Sequence, residues 1–186
     1  SLGRKLGKRP AEAKKAYSKA LTVEESVRDD CVEKGRKVLG KLGPSRPGLV
    51  VMSRSYNGCD PGLNMKIPEK LRKLGATPIP IDCLPLGDID PDRLHPKMQW
   101  DWGKRILSAA AFIKDRLHIH GLYLSHFRCG PDSFIIRYVK EVLDDEPFLH
   151  VELDEHSGEA GIITRCEAFL DSLKQRENEL SKTGSE

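Results

Sequence analysis

No C-x-x-C pair occurs among the five cysteines, which stand at positions 31, 59, 83, 129 and 166. That absence excludes a zinc ribbon and a thioredoxin-like redox motif. No stretch approaches the roughly 20 consecutive apolar residues that a membrane-spanning helix needs, and no signal peptide opens the sequence. The expectation is a cytoplasmic protein without a membrane partner. There the odd set of thiols stays free, buried, metal-bound or reactive rather than disulfide-linked. Neither the P-loop pattern nor G-x-G-x-x-G is present, and no internal repeat is visible. Charge of one sign is also lacking: 31 basic and 28 acidic residues leave a net charge of +3. The exception is the first 20 residues, with seven Lys or Arg and the single acidic Glu12. Without a recognised nucleic-acid motif, this arm is expected to be a solvated extension, and no nucleic-acid partner is expected. The opening Ser1-Leu2, in place of Met, suggests a piece of something longer.

What is present is a strand–helix alternation. Residues 11–42 are rich in Ala, Lys and Glu, with Val23, Val27, Cys31, Val38 and Leu42 as an apolar stripe. Thr22 followed by Glu25 resembles a capping box, which predicts two helices meeting near Leu21. Leu49-Val50-Val51-Met52 is a short apolar run of the kind found in strands buried on both faces. A polar loop is expected over 53–62, then a helix ending at Gly75. The second strand, 77–81, contains Pro78 and Pro80, which cannot donate to a ladder and therefore belong at a sheet edge. A long loop over 82–96 precedes a helix with Ile106, Ala109, Ala110 and Ile113 on its apolar face. A third strand over 118–124, a helix after Pro131, a fourth strand over 148–153 and a last helix complete the pattern. Four such units imply a parallel sheet with right-handed crossovers. With the second strand at the edge, the order is 2-1-3-4: a three-layer, flavodoxin-like or Rossmann-like α/β fold. The expected organisation is a helical extension over 1–44, the α/β domain over 45–178 and a disordered tail over 179–186.

Ligands of open α/β sheets bind beyond the carboxyl ends of the strands. The loops there hold Tyr56, Asn57, Cys59, Asp60 and Gly62, then Cys83, then His126 and Cys129 to Ser133, and finally Asp154, Glu155 and His156. Topology thus carries Cys59, Cys83 and Cys129 to one rim, where thiolates are candidates for zinc or an iron–sulfur cluster. Cys129 precedes Gly130 and Pro131 at a helix start, a position that favours a thiolate. Spacing alone favours scattered loop cysteines for Cys59 and Cys83, and plain packing for Cys31 and Cys166 on apolar helical stripes. The Asp154-Glu155-His156 cluster reads first as structural, with Ser157 as an N-cap. Trp100 and Trp102 read as core or interface residues.

Taken together, Cys129-Gly130-Pro131-Asp132-Ser133-Phe134-Ile135, Glu152-Leu153-Asp154-Glu155-His156-Ser157, the later Thr164-Arg165 and Glu167 to Asp171, and the earlier Tyr56-Asn57 and Asp60-Pro61-Gly62 form a distinctive ordered set. They resemble the C-terminal part of the large 2-hydroxyacyl-CoA dehydratase activator-related iron–sulfur proteins, over roughly residues 49–173. The resemblance implies a cluster in the intact protein, with Cys129 as a ligand, and an actin-like ATPase activator that delivers a low-potential electron. Other domains of a larger polypeptide would supply the remaining ligands, so this piece alone would lack both cluster and activity. Tyr56, Asn57, Asp60, Gly62, Gly130, Asp132, Ser133, Asp154, Glu155 and His156 would shape the cavity. The alternatives are an assembly domain that docks through Trp100 and Trp102, or a small-ligand or nucleotide-binding module.

Overall fold

Four short parallel strands run side by side in the order 2-1-3-4, each made by an apolar run that the sequence brackets with turn residues. The structure, a computed structural model, describes residues 2–114 and 116–183. The strands are β1 (Gly48–Met52), β2 (Thr77–Pro80), β3 (Ile119–His126) and β4 (Phe148–Leu153). β1 is buried along its whole length and pairs with β2 on one side and β3 on the other. β2 holds the edge, where Pro78 and Pro80 leave no ladder donor missing.

Alternation along β1 and β3 sorts the core into two layers. Val50, Met52 and Tyr123 face α6 (Asp101–Ile113) and α7 (Gly130–Leu143), with Ile106, Leu107, Ile135 and Val139 completing that side. Leu49, Val51, Leu122 and Leu124 face α4 (Ile67–Lys73) and α8 (Glu159–Thr183), against Leu71, Ile162, Cys166 and Leu170. Helices on both faces of a parallel sheet are the arrangement that buries both of its sides.

Several expectations are corrected. The N-terminal segment is not two helices joined at Leu21: after the short α1 (Leu2–Lys5) a single α2 runs over Pro10–Leu39. The Thr22 hydroxyl donates back to the Ser18 carbonyl, four residues earlier, a bond open to a mid-helix Thr. The helix instead starts at Pro10, with the Arg9 N–H donating to the Glu12 carboxylate at 3.0 Å. Val23 and Val27 are exposed, since no described residue covers them, whereas Val38, Leu39 and Leu42 pack on the core. The loop expected over 53–62 contains a turn of helix, α3 (Ser55–Cys59). The loop over 82–96 is broken by a 3₁₀ turn (Ile81–Cys83) and by α5 (Pro91–Leu94). At the C-terminus α8 continues to Thr183, past the boundary expected at residue 179, and 184–186 lie outside the described residues. Among the described residues no helix is long and apolar enough to cross a membrane.

Candidate functional site

The chain leaves β1 toward α4 on one face of the sheet and leaves β3 toward α7 on the other. Loops that diverge from adjacent parallel strands open a crevice at their carboxyl ends, the usual ligand position of an open α/β sheet. Arg54 follows β1, and Cys129 follows β3, so both belong to that crevice.

Cys129 is the N-cap of α7, with Pro131 in the first turn. Its sulfur accepts the Asp132 backbone N–H at 3.4 Å and is in direct contact with the Arg54 guanidinium. Both neighbours are donors, and one is a cation at the positive end of a helix, the surroundings a thiolate takes. Arg128, just before it, holds a left-handed φ of 57°. A non-glycine residue in that region costs on the order of 1 kcal/mol, a cost the surrounding packing must carry. The Ser133 hydroxyl donates to the Cys129 carbonyl at 2.9 Å and closes the first turn.

Behind the sulfur lies a buried acid. Asp132 is 3% exposed; it pairs with Arg54 at 3.4 Å and accepts the Tyr123 hydroxyl at 3.3 Å. Burial, and then the Asp132 charge, push the Tyr123 phenol far above its ordinary range, so it stays a donor. The Tyr123 ring meets His150 edge-on at 5.6 Å, and the His150 Nε2 lies 2.8 Å from the Ser125 hydroxyl. Burial lowers the affinity of His150 for a proton. The Trp102 indole donates to the Ser53 carbonyl at 2.8 Å, fixing α6 against the end of β1. Trp100 and Trp102 both pack on the domain's own core.

Asn57, on α3, is 1% exposed, and neither polar atom of its side chain has a hydrogen-bond partner among the described residues. α3 packs against β3, which sets this amide beside the crevice. A buried amide without partners is rare enough to point to a ligand or water between its groups. Tyr56 lies under the Arg54 guanidinium at 5.5 Å.

The structure thus brings Cys129, Gly130, Asp132 and Ser133, at the start of α7, against Arg54 and Tyr56, which follow β1. Gly62, Asp154 and Glu155 line a second cleft with His126, which terminates β3 rather than sitting in a loop. Asp60 accepts the Gly62 and Leu63 N–H groups at 2.8 and 2.9 Å and shapes that loop. Ser157 does not cap α8: its hydroxyl accepts the Asp154 N–H at 2.8 Å and donates to the Asp154 carboxylate at 2.9 Å, and this second bond, with the His156 N–H at 2.9 Å, holds that carboxyl below its ordinary range. Glu155 and His156 stand exposed, 3.7 Å apart.

Cys59 and Cys83 do not join Cys129. Among the described residues no three His, Cys, Asp or Glu side chains come together closely enough to hold a metal ion. Burial pushes both thiols up, and Asp82 and Cys31 push in the same direction. Arg54 and Tyr123 were not singled out from sequence. The signal for Arg54 was the topology itself, since the residue after β1 must adjoin the loop after β3.

Residues 1–84, from α1 through the 3₁₀ turn, match the family described as the CoA enzyme activase uncharacterised domain (DUF2229). The comparison with curated proteins and that with solved structures each returned no match. The matched stretch contains Arg54, Tyr56, Asn57 and Asp60-Pro61-Gly62 and ends before Cys129. The match covers 84 of the 186 residues and is a likeness to that uncharacterised CoA enzyme activase domain, which agrees with the 2-hydroxyacyl-CoA dehydratase activator-related family that the later loops resemble.

Proposed function

We propose that this chain is one α/β unit of an iron–sulfur protein related to the 2-hydroxyacyl-CoA dehydratases and their activators, with Cys129 as a single cluster ligand. The observation that carries this reading is the setting of the Cys129 sulfur, in the β1–β3 crevice, with the α7 N-terminus and Arg54 as its partners. A metal takes the thiolate form of cysteine, and the same donors offset its charge.

A cluster normally takes four cysteines. Cys129 offers one, so the others come from further domains of a longer polypeptide, and Cys59 and Cys83 stand outside the set. An iron–sulfur cluster held there supplies one-electron transfer at low potential. In this chain the Arg54 guanidinium touches the sulfur and pairs with Asp132 at 3.4 Å, so it would keep a partner if a cluster iron took the thiolate. Tyr123 fixes the Asp132 carboxylate by its hydroxyl. The Asn57 amide provides a donor and an acceptor to whatever fills the crevice. Tyr56, Gly130 and Ser133 stand around it, and Gly62, Asp154 and Glu155 line the second cleft with His126. The setting is a cytoplasmic system of anaerobic metabolism, with an actin-like ATPase activator as the electron-delivering partner.

The test is anaerobic purification of the full-length polypeptide containing this domain, with iron and acid-labile sulfide counted beside a Cys129→Ser variant. Iron in the parent and a lost or altered cluster absorption in the variant are expected. A parent without iron, or a variant with an unchanged spectrum, overturns the reading.

A further inference from the structure

A second thiol site lies away from the crevice, where α2 crosses the end of β2. The helix passes so close to the 3₁₀ turn that Gly35 has no room for a side chain: a Cβ there would stand 1.8 Å from the Cys83 carbonyl oxygen and 3.1 Å from the Cys83 Cβ. Cys31 lies one helical turn before Gly35. Residues four apart share a face of a helix, so Cys31 stands on the face of α2 that meets the Cys83 turn, and the charge of either thiol acts on the other. Two cysteines 52 positions apart in sequence are therefore brought to one packing seam, between α2 and the 3₁₀ turn.

Both thiols are partly exposed, unlike Cys166, which is buried in the core. A cleft lined by Cys31, Ser55, Asp82, Trp102 and Arg105 gives solvent access to Cys31, beside the turn that carries Cys83. Asp82 is held by Arg105 at 2.8 Å, so the turn that carries Cys83 is fixed from its other side. Burial pushes the Cys83 thiol up, and the neighbouring Cys31, Asp82 and Cys59 push it further. Joining two sulfurs removes that crowding of groups that would all be negative.

We propose that Cys31 and Cys83 are a reversible dithiol–disulfide pair that fastens α2 to the sheet, with a low-molecular-weight disulfide as the oxidant. One protein thiolate attacks a sulfur of the small disulfide, forming a mixed disulfide and expelling one small thiolate. The second protein thiol, on losing its proton, attacks the protein-bound sulfur and expels the other. The two protein thiols lose two electrons and two protons, and the small disulfide becomes two thiols. A reducing thiol in excess reverses both steps. The bond closes a loop of some fifty residues in the unfolded chain, so oxidation raises stability. This pair does not depend on Cys129 or on a cluster.

The reduced chain, incubated with glutathione disulfide, is denatured and its free thiols are counted; non-reduced peptide mapping then locates any bridge. The expected result is loss of two of the five thiols, a Cys31–Cys83 bridge, a higher thermal midpoint and full reversal by dithiothreitol. Cys59→Ser should leave the bridge intact. Cys31→Ser and Cys83→Ser should each abolish it and leave a glutathione adduct on the remaining thiol. A bridge through Cys59, adducts alone on the unaltered chain, or an unchanged thiol count overturns the proposal.

Discussion

The Tyr123 hydroxyl donates to the Asp132 carboxylate at 3.3 Å across the inner end of the crevice, and both residues are buried. Tyr123 belongs to the central strand β3, and Asp132 to the first turn of α7, so this bond ties the rigid sheet to the helix that Cys129 caps. The Arg54 guanidinium closes the triad from β1.

Removing the acid should be the most damaging change in the site. Asp132→Ala leaves a partly buried guanidinium and a buried hydroxyl without their acceptor, and should cost about 3 kcal/mol of unfolding free energy in urea titrations. Tyr123→Phe removes one hydrogen bond to a charged group and should cost less, about 1.5 kcal/mol. If Tyr123→Phe were the costlier of the two, the triad would not be organised around the carboxylate.

Gly35 should tolerate no side chain. In Gly35→Ala the new methyl group would collide with the backbone of Cys83, so either α2 or the 3₁₀ turn must move. Overpacking of this kind costs roughly 1–3 kcal/mol, although alanine by itself favours helix over glycine by about 1 kcal/mol. A lower thermal midpoint with unchanged far-ultraviolet helicity is expected. A gain in stability would mean that the two segments are not in contact in solution.

Stability should fall in mild acid because of His120. Burial lowers its pKa from 6.5 to about 4; Arg176 and His118 push the same way, and Glu177 opposes them. The unfolded chain then binds more protons between those two values, so the contribution is present above 6.5 and lost as pH falls toward 4. With part of the ring in contact with solvent, the loss should reach about 2 kcal/mol. Denaturant midpoints measured between pH 7 and pH 4 should show this slope, and His120→Leu should flatten it. An equal slope in the variant would assign the effect to other groups, His150 among them.

Much of the frame was legible because its signals are local. The Leu49–Met52 run, the edge prolines of β2, and Pro131 with Asp132 at the start of α7 each state their element within a few residues. The order 2-1-3-4 followed from those signals and the handedness of crossovers. α3 was missed because Ser55-Tyr56-Asn57-Gly58-Cys59 holds turn formers, and only its packing against β3 makes it helical. The stripe through Val23 and Val27 misled because periodicity reports an apolar face and not a partner for it. Cys31 read as packing for the same reason: its neighbour Cys83 is brought to it by tertiary structure alone. At the site, Cys129 could be placed from its helix start, while Arg54 and Tyr123 acquire meaning only through their contacts.

The first part of α2 has a practical consequence. From Lys14 through Asp30 every side chain is exposed, so the segment is a solvated rod of about 25 Å, held by its own backbone bonds and pairs such as Glu24–Arg28 at 3.3 Å. Helices without tertiary burial are marginal in water, and opening this one disturbs nothing in the core. Trypsin should therefore gain entry after Lys14, Lys15, Lys19 and Arg28, and the fragment that survives digestion should begin at Asp29, just ahead of Cys31.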